Sequence, residues 1–313
     1  MTHKAFLFPG QGTQAVGMGK ALAGAFAEAK EVFAEVDDAL NQNLSRLMFE
    51  GPESELTLTA NAQPAIMAVS MAAFRVLQKQ VGLSIADAAF VAGHSLGEYS
   101  ALCAAETFSL RDTAKLLRIR GEAMQAAVPP GVGAMAAILG LDDAVLEQIV
   151  REAAKGETCV LANYNSPGQV VISGHATAVA RACELAKEKG AKRALPLNVS
   201  APFHSPLMEP AAARMKEALG AVTMQNPKAI LIANVTAKPV EKADAIRELL
   251  VQQVTGSVRW SASVETLASL GVTQVVEIGA GKVLSGLVKR IAPEITASAV
   301  CEPADIDAFA AAA

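Results

Sequence analysis

The chain has 313 residues and a formal net charge of −4, with no polybasic block, so neither a nucleic-acid backbone nor an anionic membrane surface is favoured as a partner. Half of the residues are hydrophobic, Ala and Gly are abundant and aromatics are few, which suits an α/β protein with small-residue packing. No apolar run approaches the roughly 18–20 residues needed to cross a bilayer, and the N-terminus enters a strand too early for a signal peptide. Cys103, Cys159, Cys183 and Cys301 are scattered without a C-x-x-C pair, so no metal site is expected and free thiols in a cytoplasmic setting are.

Residues 4–8 read as a short buried strand, followed by Pro9-Gly-Gln-Gly-Thr-Gln14 and a long helical pattern over 18–40. Gly10-x-Gly12-x-x-Ala15 formally matches a dinucleotide fingerprint. That fingerprint needs a second strand ending in an acid about 20 residues on, where this chain is helical. Residues 53–59 read as turn and cap material. A helix runs from Asn61 to about Val81, with Pro64 in its first turn.

Phe90-Val-Ala-Gly-His-Ser-Leu-Gly97 passes from an apolar segment through Gly-x-Ser-x-Gly into Ala-rich helical sequence, the pattern of a nucleophile elbow. The glycines admit crossing backbone, and the turn lifts the Ser95 hydroxyl to a helix N-terminus where free N–H groups can hold an anion. On the helix expected over 110–127, Arg111, Lys115, Arg118, Glu122 and Gln125 share one face. Arg120 falls among the apolar residues opposite. An inward arginine is costly without an anion. Two readings stand for it, a structural ion pair or a fixed guanidinium for a substrate carboxylate.

Val128-Pro-Pro-Gly131 marks a boundary. Strands over 132–139, 158–163, 169–173 and 193–199, with helices over 142–155 and 176–189, then give the order β-α-β-β-α-β. The expected organisation is a hydrolase-like parallel sheet flanked by helices (residues 1–127 and 198–313) with an inserted ferredoxin-like subdomain (128–197). After the insertion come the loop Ser200-Ala-Pro-Phe-His-Ser-Pro206, a helix to Gly220, a strand over 229–234 and helices over 244–254 and 257–270. A strand over 274–278 and a final helix to Ile291 follow, and the Ala-rich tail is expected to fray.

A serine nucleophile needs a base. His3 is terminal, His175 opens an insertion helix, and His94, beside Ser95, is expected to point away from it and support the turn. His204, in a Pro-flanked loop, is left by elimination. No acid between Ser95 and His204 stands in a strand-end loop, so a dyad with a neutral acceptor behind the histidine fits better than a triad.

With Pro9-Gly-Gln-Gly-Thr-Gln14, Gly93-His-Ser-Leu-Gly-Glu98, Arg120 and Pro-Phe-His-Ser205 in this order, the chain resembles the malonyl-CoA:acyl carrier protein transacylase family, similar also to the acyltransferase domains of polyketide synthases. Asn163-Tyr-Asn-Ser-Pro-Gly168 and Asn234-Val-Thr236 look like signatures of the same family. The resemblance implies Ser95 as nucleophile, His204 as base and Arg120 as the malonyl carboxylate's partner. It implies an oxyanion hole from the backbone N–H groups of Gln11 and Leu96. It implies a histidine-orienting backbone carbonyl at Gln253, with Gln252 as the alternative register. Phe203 is implied to favour malonyl over branched groups, with His94 and Asn163 in support. Malonyl-CoA and acyl carrier protein are the implied substrates, with no cofactor or metal and a monomeric enzyme. Lys187, Lys189, Lys192 and Arg193 could face an acidic carrier. A serine esterase or thioesterase and a non-catalytic carrier-binding module remain as other readings.

Overall fold

A computed structural model describes residues 3–199 and 201–312, so Ser200 of the Pro-flanked loop lies outside the described residues. In chain order the elements are β1 (His3–Phe8), α1 (Lys20–Ala25), α2 (Ala27–Leu40), α3 (Leu44–Glu50), α4 (Glu53–Leu56), α5 (Thr59–Val81), β2 (Phe90–Gly93), α6 (Gly97–Ala104) and α7 (Leu110–Ala126). Then come β3 (Gly133–Leu139), α8 (Asp143–Ala154), β4 (Cys159–Ser166), β5 (Gln169–His175), α9 (Ala176–Glu188) and β6 (Arg193–Pro196). The chain closes with α10 (Glu209–Gly220), β7 (Ile230–Ile232), β8 (Pro239–Val240), α11 (Ala243–Thr255), α12 (Trp260–Ser269), β9 (Val272–Ile278), α13 (Val283–Ile291), β10 (Thr296–Val300) and α14 (Pro303–Ala312).

The larger sheet has the order β10-β9-β1-β2-β7-β8, parallel throughout except for β8. Ala5 to Phe8 are fully buried, as expected for a strand covered by helices on both faces. Pairing of Phe8 with Gly93 brings the loop after β1 beside the turn after β2. Ligand sites of open α/β sheets form at such carboxyl ends.

The smaller sheet is antiparallel, in the order β4-β5-β3-β6. With α8 and α9 between its strands, this is the ferredoxin-like arrangement that the β-α-β-β-α-β pattern predicts. It is pinned to the rest of the chain beside α12. Tyr164 N donates to Val258 O (2.9 Å), Val258 N to Ala162 O (2.8 Å), and Ser257 Oγ to Leu161 O (2.6 Å).

Several local expectations need correction. The 18–40 helix is two helices, because Phe26 adopts an extended conformation between them. Residues 53–56 form a helical turn, preceded by the unanticipated α3, whose Asn43 caps Arg46 N. Helix α5 starts at Thr59, so Pro64 lies inside it rather than in its first turn. Strand β6 ends at Pro196, short of Val199, while β4 runs on to Ser166 and β5 to His175. The C-terminal tail is helical as far as Ala312. Strand β10 pairs with β9, and α14 follows, with Asp305 Oδ2 accepting from Cys301 N and Glu302 N and Ile306 buried.

Helix α5 is buried on nearly all sides, which its Ala-rich sequence permits. Helix α7 crosses it closely at Gly121, where a Cβ would stand 2.6 Å from Thr59 O. This close crossing lays the inward Arg120 against Gln63.

Candidate active site

The elbow is built by steric exclusion. A Cβ on Gly93 would fall 1.9 Å from Gly97 O, and one on Gly97 would fall 2.2 Å from Phe8 O. The crossing backbone therefore leaves room only for glycine at both positions. Ser95 takes φ 53°, the left-handed region that other residues rarely occupy. Asn234, fully buried after β7, staples the turn. Its Oδ1 accepts from Ser95 N (2.8 Å) and its Nδ2 donates to Gly93 O (2.7 Å).

His204 also has a left-handed backbone, φ 55°, and is buried. Its Nδ1 lies 2.9 Å from Gln253 O and 3.1 Å from Gly256 O. Both neighbours are carbonyls, so Nδ1 must carry the proton and donate it, leaving Nε2 as an acceptor. Nε2 stands 2.8 Å from Ser95 Oγ and receives the serine hydroxyl's hydrogen bond. Burial, and then the nearby Arg120 charge, push the imidazole down to about 3, while the Gln253 carbonyl opposes the shift. The imidazole is thereby held neutral, with Nε2 turned to the Ser95 hydroxyl. The carbonyl is that of Gln253; Gln252 O instead accepts Gly256 N.

Arg120 is 1% exposed, which decides its direction: the guanidinium points into the protein. Its Nη1 donates to Gln63 Oε1 (2.7 Å), and its Nη2 to Gln253 Oε1 (2.9 Å) and Ser95 Oγ (3.1 Å). The Tyr99 ring lies alongside, 5.7 Å from ring centroid to Cζ. Among the described residues no carboxylate forms a salt bridge with it.

Around these groups lies a cavity of about 600 Å³. Gln11, Gln63, His94, Asn163 and Phe203 line it, together with Ser95, Arg120 and His204. The backbone N–H groups of Gln11 and Leu96 donate to no protein acceptor among the described residues, so both remain free for an anion. The Gln11 side chain is tied back to Thr59 Oγ1 (3.2 Å). His94 lines the same cavity, with its Nε2 2.9 Å from Asn165 Oδ1 rather than bonded to Ser95, and its ring tilted on Trp260. Asn163 forms a bridge to Val258, which connects the smaller sheet to the segment that holds His204.

Two side chains escaped the sequence reading. Gln63 looked like helix-start material, and only the crossing of α5 and α7 turns it towards Arg120. Glu98, outside any strand-end loop, drew no role from the sequence but is fully buried. Its carboxylate receives Gln253 Nε2 at 2.6 Å, and burial pushes it up to about 8. A second hollow, of about 690 Å³, is lined by Ala153, Val179, Cys183 and Ala194, and neither Ser95 nor His204 reaches it. No group of acids, histidines and cysteines among the described residues could hold a metal ion.

Residues 5–302 match the acyl transferase domain model. The malonyl CoA-acyl carrier protein transacylase of Bacillus subtilis (strain 168) is 50% identical over 309 residues, covering 98% of this chain and 96% of that one. The crystal structure of an acyl-carrier-protein S-malonyltransferase from Bartonella henselae superposes with a TM-score of 0.97 at 56% identity, covering 99% of both chains. A type II polyketide synthase acyl carrier protein in complex with its malonyl-transacylase gives a TM-score of 0.96 at 43% identity, covering 100% of both.

Proposed function

The chain belongs to the acyl transferase family, and on that premise we propose that it moves a malonyl group from malonyl-CoA to the phosphopantetheine thiol of acyl carrier protein, through a malonyl-Ser95 intermediate. One observation carries the reading. Ser95 Oγ stands 2.8 Å from the His204 base and 3.1 Å from the Arg120 guanidinium, so a nucleophile and a carboxylate anchor share one cavity.

His204 Nε2 takes the hydroxyl proton as Ser95 attacks the thioester carbonyl. The oxyanion is held by the free N–H groups of Gln11 and Leu96, each such donor contributing about 3 kcal/mol. Collapse releases CoA, whose thiolate receives the proton from His204. The carrier thiol then repeats the sequence in reverse order, which regenerates Ser95. Two backbone carbonyls, rather than an acid, orient the imidazole, so its positive charge exists only while the oxyanion does.

Arg120 grips the malonyl carboxylate with parallel hydrogen bonds and discriminates against acetyl, which leaves the buried charge unpaired. Phe203 narrows the same wall. No metal or redox cofactor takes part. The cleft belongs to two units of one chain, residues 1–127 with 198–313 and the inserted 128–197, and a monomer suffices because every site residue comes from it. The four free thiols suit the cytoplasm. An acidic carrier finds Lys187, Lys189, Lys192 and Arg193 exposed on the insertion, with Lys187 partly neutralised by Glu184 at 2.8 Å.

A serine hydrolase reading lacks any use for Arg120, and a carrier-binding module lacks any use for the Ser95–His204 pair. Incubation with malonyl-CoA, with and without carrier, tests the proposal by intact mass. A malonyl adduct on the wild type that disappears in Ser95→Ala, with malonyl-carrier as product, is expected. Free malonate as the sole product would indicate a hydrolase, and an adduct on Ser95→Ala would remove the assignment.

A further inference from the structure

Glu98 is a buried carboxyl that the transfer steps do not use, and it sits one residue beyond the elbow. It forms no hydrogen bond with His204 or Arg120; it meets the side-chain amide of Gln253 (Nε2 to Oε2, 2.6 Å) and the Asn234 backbone. That amide is a junction. Its Nε2 also donates to Ser95 O (2.9 Å) and its Oε1 accepts from Arg120 Nη2 (2.9 Å), while the same residue's backbone carbonyl accepts from His204 Nδ1.

An amide can be turned by 180° with almost no change in shape, and hydrogen bonding alone decides which end is oxygen. Arg120 offers only donors, while Glu98 Oε2 and Ser95 O both accept from the amide nitrogen. Their positions on opposite sides of the amide therefore select one orientation, with Oε1 towards the guanidinium. The flipped amide would set its NH₂ against the guanidinium.

We propose that Glu98 is a positioning residue for acyl selection, acting through the Gln253 amide to aim Arg120 Nη2 at the place where an acyl carboxylate sits. The link to Arg120 is the vulnerable one. His204 Nδ1 keeps a second acceptor in Gly256 O, so its orientation survives a small shift of Gln253, whereas Nη2 itself bonds this amide and Ser95 Oγ, with Gln63 holding the other end of the guanidinium. A bridged arrangement also has a consequence that a direct ion pair would not. The amide holds the guanidinium without a carboxylate occupying it, so the incoming carboxylate does not have to displace one.

The inference rests on the acyl-transfer reading above, and its test separates the two. Single-turnover acylation of Ser95 is measured with malonyl-CoA and with acetyl-CoA. In Glu98→Leu, kcat/KM for malonyl-CoA is expected to fall about 20-fold or more, and for acetyl-CoA less than about 5-fold, so the malonyl/acetyl ratio drops. Glu98→Gln, which restores an acceptor of the same reach, is expected to return both within about 3-fold of wild type. An equal loss for both acyl groups, an unchanged ratio, or a Glu98→Gln as impaired as Glu98→Leu would overturn the proposal. Should Glu98→Leu not fold, Gln253→Leu removes the amide and keeps the backbone carbonyl; a lowered ratio supports the link and an unchanged one overturns it. A wild-type enzyme that takes up neither acyl group would fail the functional reading instead.

Discussion

Arg120 Nη2 donates to Ser95 Oγ across 3.1 Å, so the cation proposed to recognise a substrate carboxylate also touches the proposed nucleophile. On that proposal Arg120 would be both an anchor and an electrostatic neighbour of the nucleophile, stabilising the serine oxygen as it loses its proton; its charge opposes protonation of His204.

Arg120→Ala separates these roles. Malonyl transfer is expected to fall about 10²–10³-fold, as for losing one partner of a buried charged pair, while acetyl transfer falls far less or rises relative to it. Steady-state kcat/KM for both donors checks this, and an unchanged malonyl/acetyl ratio would return Arg120 to a packing role.

The pH dependence follows from His204. Its ordinary value is 6.5 and the fold holds it at about 3, so the imidazole stays neutral well below neutrality. Inactivation of Ser95 by a neutral organophosphate should stay flat from about pH 7 to about pH 5, where an unperturbed histidine would already have lost most of its base form. In Arg120→Gln the falling limb should move to higher pH, because a cation that opposes protonation has been removed. The stability sign is that of a depressed group. The unfolded chain binds the His204 proton below 6.5 and the native protein does not, so this contribution is intact above 6.5 and is lost as pH falls towards 3. A urea midpoint series over that window measures it.

Asn234→Ala should damage the elbow without touching substrate. It strands Ser95 N and Gly93 O in a buried turn, at a cost of about 2–4 kcal/mol, read as a lowered urea midpoint. The surviving folded enzyme should show a reduced kcat with a smaller change in KM. A wild-type midpoint would show that the staple is not needed.

Gly97→Ala tests the crossing of α6 over β1. Its new Cβ would meet Phe8 O at 2.2 Å, a backbone atom that cannot step aside. We expect a destabilisation of several kcal/mol or no soluble protein, whereas Gly24→Ala, whose Cβ meets nothing within 4 Å, should be tolerated. Comparative expression and melting curves distinguish them.

What the sequence determined by itself is the alternation and the punctuation. Buried strand runs, Gly-x-Ser-x-Gly and the β-α-β-β-α-β order are local patterns, and each is enforced within a few residues by sterics or periodicity. The inward direction of Arg120 was legible for the same reason, since a helix repeats every 3.6 residues whatever surrounds it. Helix α14 and strand β10 were not legible, because an Ala-rich tail becomes ordered only when β9 offers an edge and the core accepts Ile306. The tertiary structure alone decided which neighbours meet. Glu98 and Gln253 are 155 residues apart, and Gln63 and Arg120 are 57 apart. No local preference encodes such pairings; they exist because the α5–α7 crossing and the α11 packing bring these side chains into one water-poor space. There each buried donor must find an acceptor, and the network around Ser95 is the solution these residues reach.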